Sequence, residues 1–465
     1  MAAAIKKATF LQLAFMIYGA VCAGAFGVEN MIPAAGPGMA LLTLVLMPFL
    51  FSLPASFAVS ELTTMLPLEG GQYRWSRLAF GDFWGFQAGW WAWMTGIVTN
   101  GLFAVLFANY LQTWFPGMTG LHHWLVCLTL IWCMHLLNLR GIRVVGNTAI
   151  VLSAVLLLPF VLLLVFGVMQ WQHNPFTPLV APGKSLAGGF SSSVVLAIWL
   201  YSGYDKLSAA AEEVEHPQRT FPPALLLAAI MAMLSYVLPT MAALAALGNW
   251  QEWSDAYFTT AAARIGGNWL GHSMTASALC SNALLLNVTM LATSRYPLTL
   301  AQDGFLPAFL TQIHPRFGTP TQALLWGSLT YSLLTLFDFT QLIIIYAWFQ
   351  IASYILLYAN VWKMRHTHAG APRPFKIPLG KPALVLLMLP TWVMALLAIN
   401  STVFENGLFQ PRQLLIGVLA LFSGPLVFVM VKWLRAGEIK LPEPAAKNPT
   451  AQSHSARMEA DDSAF

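Results

Sequence analysis

Charged residues are scarce in this sequence: Asp, Glu, Lys and Arg make up 9% of its 465 residues, whereas 58% are hydrophobic. A soluble domain carries roughly a quarter charged residues. So little charge excludes the soluble globular class, and the surroundings of this chain must be largely lipid. Apolar runs of about 20 residues, long enough to cross a bilayer as helices, recur along the whole sequence.

Cysteines and nucleotide-binding motifs are equally sparse. The four cysteines (Cys22, Cys127, Cys133 and Cys280) lie inside apolar runs and form no Cys-x-x-Cys pair, which disfavours disulfides and metal sites. The sequence contains no phosphate-binding loop, no dinucleotide-binding glycine motif and no evident nucleophile–base pair. We therefore predict no enzyme, no cofactor and no metal. A membrane protein of this kind draws its energy from ion or solute gradients.

Positive charges are distributed unevenly between the predicted loops. About twelve apolar segments are predicted to be transmembrane helices, from 10–32 to 412–434. With the N-terminus in the cytoplasm, 19 of the 23 Lys and Arg residues fall on the cytoplasmic side, 3 fall outside, and Lys206 lies within a span. This bias predicts an even number of spans with both termini cytoplasmic. The net charge of +5 is thus a topology signal, and nucleic acid is not an expected partner.

The two ends of the chain differ in composition. Lys6 and Lys7 precede an apolar stretch, but no small-residue cleavage site follows a short core, so we predict an uncleaved first span. Residues 436–465 are rich in Pro, Ala, Ser and charge, which predicts a disordered cytoplasmic tail. Residues 1–435 would then form a single transmembrane domain.

Two predicted spans carry glycine and small polar residues at their middle. The first contains GAVCAGAFGVEN (19–30) and the sixth contains YSGYDKLS (201–208). Broken helices at corresponding positions of two halves expose amides and carbonyls that bind charged solutes, and they mark transporter sites. Alternatively, the glycines only permit close helix packing. The sequence pattern leaves both interpretations open.

Ionisable residues follow each of these breaks: Glu29 the first, and Asp205 and Lys206 the second. A charge within a span costs at least about 2.5–3.5 kcal/mol, so it usually faces a cavity or a partner. If the breaks face each other, Glu29 and Asp205 line one cavity, where a carboxylate binds a substrate ammonium or exchanges a coupling proton. Alternatively, Asp205 pairs with Lys206 or caps a helix, and Glu29 reaches the extracellular mouth.

Aromatic residues beside the breaks offer a second means of binding an ammonium. Phe26 flanks the first break, and Tyr201 and Tyr204 flank the second. The face of an aromatic ring attracts a cation electrostatically. Packing against neighbouring helices is the alternative role of these rings.

Longer segments resemble parts of the amino acid–polyamine–organocation permeases. Four segments are similar to loops of that superfamily: ELTTMLPLEGGQYRWSRLAFGDFWGFQAGW (61–90), AEEVEHPQRTFPPAL (211–225), SRYPLTLAQDGFLPAFLTQIHPRFGTP (294–320) and RPFKIPLG (373–380). Within it, AGAFGVENMIPAAGP (23–37) and WLYSGYDKLSAAAEEVEHP (199–217) are similar to the polyamine:proton symporters and related amino acid permeases. The resemblance covers about residues 8–435.

The resemblance implies an all-α fold with a five-plus-five inverted repeat (about 10–169 and 186–363) and two extra helices at about 382–434. It also implies a substrate held between spans one, three, six, eight and ten. Glu29 and Asp205 match acidic positions of the symporter branch, which makes them candidates for amine binding and proton coupling. The predicted substrate-binding residues are Gly24, Ala25, Phe26, Gly27, Glu29, Tyr201, Ser202, Gly203, Tyr204 and Asp205.

Two departures from the superfamily pattern bear on mechanism. Ala25 stands where many members carry a residue of a Gly-Ser-Gly-Ile stretch. Residues 147–167 contain no lysine, whereas some proton-coupled relatives use one in span five. We predict a secondary transporter of the cytoplasmic (inner) membrane that takes up amino acids or polyamines with protons. An obligate amino acid or amine exchanger of the same fold is the alternative. The sequence does not predict the oligomeric state.

Overall fold

The protein is described by a computed structural model that covers residues 7–254, 256–336, 339–377, 380, 384–385, 388–393, 396, 403–405 and 408–437. Within these residues the chain is helical almost throughout, and the prediction of an all-α membrane protein is confirmed. One departure is a pair of two-residue antiparallel strands, Phe404–Glu405 and Leu408–Phe409. The predicted span 382–400 is described only in part, and residues 438–465 of the predicted tail lie outside the described residues.

The helices are numbered here in chain order. They are α1 (Phe10–Val21), α2 (Met31–Ala35), α3 (Pro37–Met47), α4 (Leu53–Met65), α5 (Gln72–Phe80), α6 (Asp82–Gln112), α7 (Gly120–Asn138), α8 (Ile142–Met169), α9 (Leu186–Leu200), α10 (Pro217–Leu247), α11 (Tyr257–Gly266), α12 (Asn268–Thr293), α13 (Arg295–Gln302), α14 (Thr321–Leu334), α15 (Phe339–Thr367) and α16 (Pro411–Gly437). A π-helical turn at Pro48–Ser52 joins α3 to α4, and 3₁₀ segments lie at Lys206–Glu213, Trp250–Glu252 and Ala308–Thr311.

Seven segments of the described residues are long and apolar enough to cross a membrane. They are Pro37–Met65, Asp82–Gln112, Gly120–Asn138, Ile142–Met169, Pro217–Leu247, Asn268–Gln302 and Pro411–Leu434. The apolar helices α1 and α9 are shorter, and they belong to the two spans whose sequences predict a break. The chain divides into two compact units, Met1–Pro425 and Leu426–Phe465, and the sites described below lie in the first.

Each short helix begins at a well-formed N-cap. The hydroxyl of Thr9 accepts the amide of Gln12 in a capping box at α1, and the hydroxyl of Ser185 accepts the amide of Gly188 at α9. These bonds satisfy amides that have no partner within the helix. Both helices therefore start firmly at their sequence-encoded caps and lose their regular structure only at the breaks.

The loops gather on two sides of the helices. We call the side on which α1 begins the N-face; there the amide of Ala8 donates to the carbonyl of Glu213 at 2.9 Å. On the opposite face the amide of Ala181 donates to the carbonyl of Ala35 at 3.0 Å. The N-face contains the segments 66–81, 139–141, 214–216, 294–320 and 365–377, and the opposite face contains 113–119, 170–185 and 248–267.

Two N-face helices, α5 and α13, form where charge density suggests only loops. Arg74 and Arg77 project from α5 to the same carboxylate, with guanidinium nitrogens 2.5 Å and 2.7 Å from Oδ2 of Asp303. The hydroxyl of Tyr73 also donates to Asp303 at 2.5 Å. These bonds fasten the amphipathic helix α5 to the end of α13, so the N-face is held together by side-chain contacts.

A buried ion pair joins three further elements of the N-face. Glu61 of α4 is 1% exposed and accepts from Arg365 of α15, at 2.8 Å from Nε and 2.5 Å from Nη2. The amide of Ile377 donates to the same carboxylate at 2.9 Å, and Nε of Arg373 lies 3.4 Å from it. Buried charges need such complete partnering, because each one alone carries a large desolvation penalty.

Replacing Glu61 with glutamine is expected to destabilise the fold strongly. The substitution leaves Arg365 buried without its countercharge, and the loss of one partner of a buried pair lowers the free energy of unfolding by about 3–5 kcal/mol. Thermal unfolding of purified protein measures the effect. The control is Glu215→Gln, an exposed residue of the same face, which should melt with the wild type. Equal melting temperatures for all three proteins would contradict the role given to Glu61.

Candidate functional site

The first span is interrupted between Val21 and Met31. The backbone passes through left-handed conformations at Ala23, Gly24 and Gly27, with φ of 47°, 103° and 95°. Residues 22–30 form no regular helix, so amides and carbonyls are exposed there instead of bonding within a helix. Gly19 instead permits close helix packing. It lies inside α1, where an added Cβ would lie 2.8 Å from Cγ of Leu284.

The sixth span is interrupted between Leu200 and Lys206, where the 3₁₀ segment begins. Gly203 has φ +118°, and its amide donates to the hydroxyl of Tyr354 at 3.1 Å. A Cβ added at Gly203 would lie 2.7 Å from the carbonyl oxygen of Ala20, near the end of α1. The two breaks therefore lie against each other, as the sequence interpretation requires for a shared cavity.

One phenol connects the ends of both broken helices. Tyr236 of α10 is 1% exposed, and its hydroxyl donates to the carbonyl of Leu200 at 2.8 Å. The carbonyl oxygen of Val21 lies 3.5 Å from the same hydroxyl. These carbonyls belong to the last turns of α9 and α1, where no helical amide is available to them. Tyr236 thus supplies a hydrogen bond that the broken spans lack.

A cavity of about 490 Å³ lies beside the two breaks. It is lined by Ala20, Val21, Cys22, Phe26, Gly27, Glu29, Asn30, Thr99, Phe103, Leu106, Asn109, Tyr110, Leu196, Trp199, Leu200, Ser202, Tyr236, Ala256, Ser281, Asn282, Leu285 and Tyr346. Asn109 and Tyr110 belong to the last turn of α6, and Ala256 lies in a loop of the opposite face. The cavity therefore extends toward the opposite face and away from the N-face ion pairs.

The lining has a one-sided charge. Among the described residues that line the cavity, Glu29 is the one carboxylate, and none is Lys, Arg or His. Glu29 is 1% exposed, and its Oε2 accepts the amide of Gly27 at 2.7 Å. A buried carboxylate facing a cavity without cationic side chains attracts a positively charged guest.

Aromatic rings line the same cavity as Glu29. Phe26 lies edge-on to Tyr110 and Phe160, with ring centroids 5.5 Å and 5.0 Å apart. Trp199 and Tyr346 add further rings to the lining. Ring faces of this kind accommodate an alkyl chain and an ammonium group alike.

Asp205 lies behind the lining. It is 5% exposed, and its Oδ1 has no hydrogen-bond partner in the part of the chain that the structure describes. The phenols of Tyr296, Tyr346 and Tyr354 interact with it electrostatically, and Lys206 is its sequence neighbour. Tyr346 also lines the cavity, so Asp205 interacts with one of the side chains that border the space in which a ligand would lie.

The structure divides the ten predicted site residues into two groups. Phe26, Gly27, Glu29 and Ser202 line the cavity. Six others do not line it and are buried beside it: Gly24, Ala25, Tyr201, Gly203, Tyr204 and Asp205. Tyr201 has a visible packing role, since its hydroxyl donates to the carbonyl of Leu44 at 2.8 Å.

Several lining residues are not predicted from the sequence, because they belong to unbroken helices. Tyr236 and Asn282 stand in long apolar runs, where a polar residue normally serves as a bond between helices. Asn100 and Asn287 take that bonding role here: Asn100 accepts from Thr289, and Asn287 accepts from Asn138. Sequence alone offers no signal that separates Asn282, which lines the cavity, from these two.

The described residues contain no cluster of three or more His, Cys, Asp or Glu side chains that could hold a metal ion. Polar groups of the lining are instead amides and hydroxyls, from Asn30, Thr99, Asn109 and Ser281. Such groups, with one carboxylate, bind an organic solute through hydrogen bonds and charge.

Replacing Gly203 with alanine is expected to destabilise the contact between the breaks. The left-handed backbone strains a residue with a Cβ by about 1–3 kcal/mol, and that Cβ would also press on Ala20. Gly81→Ala is the matched control, since Gly81 has φ +87° and no heavy atom within 4 Å of an added Cβ. Thermal unfolding of both variants should show a larger loss at Gly203, and equal losses would contradict a functional contact with Ala20.

Comparison with known proteins places this geometry in context. The family model described as "Amino acid permease" matches residues 9–428. The chain is 33% identical over 403 residues to a probable polyamine transporter of Arabidopsis thaliana, covering 85% of this chain and 80% of that protein. It is 31% identical over 416 residues to polyamine transporter RMV1 of the same plant, covering 89% and 84%. It is 29% identical over 441 residues to polyamine transporter PUT1 of Oryza sativa subsp. japonica, covering 94% and 81%.

Proposed function

The chain belongs to the amino acid permease family, and from this premise we propose that it carries polyamines or amino acids across the cytoplasmic membrane by alternating access, in symport with protons. The single observation that carries the proposal is the cavity between the two breaks, in which Glu29 is buried among aromatic and amide side chains. A carboxylate in that setting pairs with an ammonium group, and the rings accommodate the carbon chain.

Polyamines fit the cavity better than α-amino acids. An α-carboxylate bound at the first break would compete with Glu29 for the amide of Gly27 and would lie close to the charge of Glu29. The lining described above also offers no cationic side chain to pair with a carboxylate. The relatives named polyamine transporters support the same preference.

Asp205 is the proposed site of proton coupling. It is buried and interacts with Tyr346 of the cavity lining, and its Oδ1 has no partner among the described residues. A carboxylate buried in this way exchanges a proton more readily than it holds a permanent charge. We place Glu29 at the cavity as the amine ligand and as a second carboxylate through which protons exchange with the substrate.

The proposed topology has both termini in the cytoplasm, so the N-face is cytoplasmic and the cavity extends toward the outside. Residues of about 10–169 and 186–363 would form inverted repeats, each opened by its broken helix. Helices within about 382–434 would be additions to this pair, and residues 436–465 a cytoplasmic tail. The asymmetry of Lys and Arg between the two faces supports this orientation.

Obligate exchange of amines is the second candidate. Residues 147–167 contain no lysine, so a lysine-based proton coupling in span five is absent from the sequence. An exchanger needs a substrate on both sides of the membrane, whereas a symporter fills empty vesicles when a pH gradient is imposed. The two candidates therefore differ in one measurable requirement.

Purified protein reconstituted into vesicles tests the proposal. With an acidic exterior, labelled spermidine should accumulate in empty vesicles, and a protonophore should abolish the accumulation. Labelled leucine tested in parallel should accumulate less. Uptake only into vesicles preloaded with amine would establish exchange instead. Absence of transport for every amine and amino acid tested, in either mode, would overturn the proposal.

A further inference from the structure

The loop between α4 and α5 is docked on the 3₁₀ segment that follows the sixth-span break. The amide of Gly70 donates to the carbonyl of Ala209 at 2.9 Å. The amide of Glu69 donates to Oε1 of Glu212, also at 2.9 Å. This docking loop, residues 68–71, thus closes the N-face over a segment that is continuous with a broken helix.

Two arginines near the docking loop, Arg295 and Arg74, already form ion pairs with other carboxylates. Arg295 is 1% exposed and makes two bonds with Glu213, at 2.7 Å from Nε and 3.0 Å from Nη2. Nη1 of Arg74 lies 2.5 Å from Oδ2 of Asp303. Both guanidinium groups therefore form their ion pairs with carboxylates other than Glu69.

Glu69 brings a further acid to the docking loop. Its carboxyl group interacts electrostatically with Glu212 and Glu213 of the 3₁₀ segment, Arg295 of α13 and Arg74 of α5. Glu69 is itself partly buried by these elements. An ionised Glu69 would place a third negative charge beside two carboxylates, and a bound proton removes that repulsion.

We propose that Glu69 is a proton-binding site of the transport cycle, filled while the docking loop lies on the 3₁₀ segment and emptied when the two separate. The inference rests on the proposed function, in which the N-face opens to the cytoplasm. On separation the carboxyl O–H bond breaks, and the proton passes to water at the N-face. Glu69 lies outside the substrate cavity, so this proton is additional to any exchanged at Glu29 or Asp205.

The electrostatics of the docked state agree with this assignment. Burial, and then the neighbouring charge of Glu213, raise the pKa of Glu69 from 4.5 to about 7. Once the loop separates, water restores the ordinary pKa, so the docked state binds the proton more tightly. Docking is therefore strongest at acidic pH and weakens as the pH rises between 4.5 and about 7. An alkaline cytoplasm would favour opening of the N-face.

Cysteine labelling at the docked surface tests the proposal without any substrate. Ala209 is fully buried, so a cysteine introduced by Ala209→Cys reacts with an impermeant maleimide only after the loop separates. Labelling at that residue is quantified by mass spectrometry, which excludes the four native cysteines. The labelling rate of Ala209→Cys is divided by the rate of the same protein that also carries Glu69→Gln. This ratio cancels the pH dependence of the thiol.

The ratio should be near one below about pH 4 and should rise at least about tenfold by pH 8, since one unit of pKa shift corresponds to a tenfold change. Glu212→Gln removes a neighbouring like charge in the docked state, so the rise should level off at a lower pH and reach a smaller ratio, whereas Glu215→Gln should leave it unchanged. A ratio that stays flat across the pH range, in protein with an unchanged melting temperature, would overturn the proposal. Because no transport is measured, such a failure is distinct from a failure of the proposed function.

Discussion

Replacing Glu29 with glutamine should reduce the affinity for spermidine by at least about 30-fold. Loss of one partner of a buried, hydrogen-bonded charge pair costs about 2 kcal/mol or more, and every 1.4 kcal/mol is tenfold in affinity. The glutamine oxygen can still accept the amide of Gly27, so the first break keeps its shape. Binding of spermidine to purified protein at fixed pH and salt is the measurement.

The matched control for this variant is Glu252→Gln. Glu252 lies on the opposite face, toward which the cavity of Glu29 extends. Unlike Glu29, it is exposed and pairs with Arg264 at 2.7 Å. It removes the same charge without touching the lining, so spermidine affinity should stay near that of the wild type. A second comparison uses leucine, whose binding should weaken less than that of spermidine in Glu29→Gln. Equal losses for both ligands would refute the assignment of Glu29 to a distal amine.

Replacing Asp205 with asparagine should abolish accumulation driven by a pH gradient and leave exchange of amines in place. Each proton that moves down a gradient of one pH unit supplies about 1.4 kcal/mol, enough for tenfold accumulation of substrate. Asparagine fits the same buried space but cannot carry that proton. Accumulation in empty vesicles and counterflow in loaded vesicles, measured on the same preparation, separate coupling from substrate binding.

Asp82→Asn provides the control for this second substitution. Asp82 is exposed at the start of α6, where it pairs with Arg77, and it does not line the cavity. Its variant should accumulate substrate like the wild type. If Asp205→Asn transported with an unaltered pH dependence, Asp205 would be removed from the coupling mechanism, and Glu29 would remain as the single proposed proton site in the cavity.

The architecture was accessible from the sequence because its signals are local. Apolar runs mark the spans, and glycine followed closely by an acid marks each break, at Gly24–Glu29 and Gly203–Asp205. Both breaks occur where they were predicted. Helix α5 was not foreseen, because Arg74 and Arg77 suggest a loop until their common partner Asp303, far along the chain, is known.

The composition of the cavity was less accessible, because it depends on contacts between distant segments. Glu29 and Asp205 look equivalent in the sequence, each following a break. Asp205 does not line the cavity and interacts with Tyr346 of its lining, whereas Glu29 lines the cavity directly. No sequence pattern predicts the role of Tyr236, because that role depends on hydrogen bonds to carbonyls of two other helices.

The hydroxyl of Tyr236 has a single hydrogen and two acceptors within reach. It can donate fully to only one carbonyl, and in this structure Leu200 at 2.8 Å is favoured over Val21 at 3.5 Å. A displacement of less than an ångström that favours Val21 must release Leu200. The ends of the two half-helices consequently compete for one proton, and strengthening the attachment of either to α10 loosens the other.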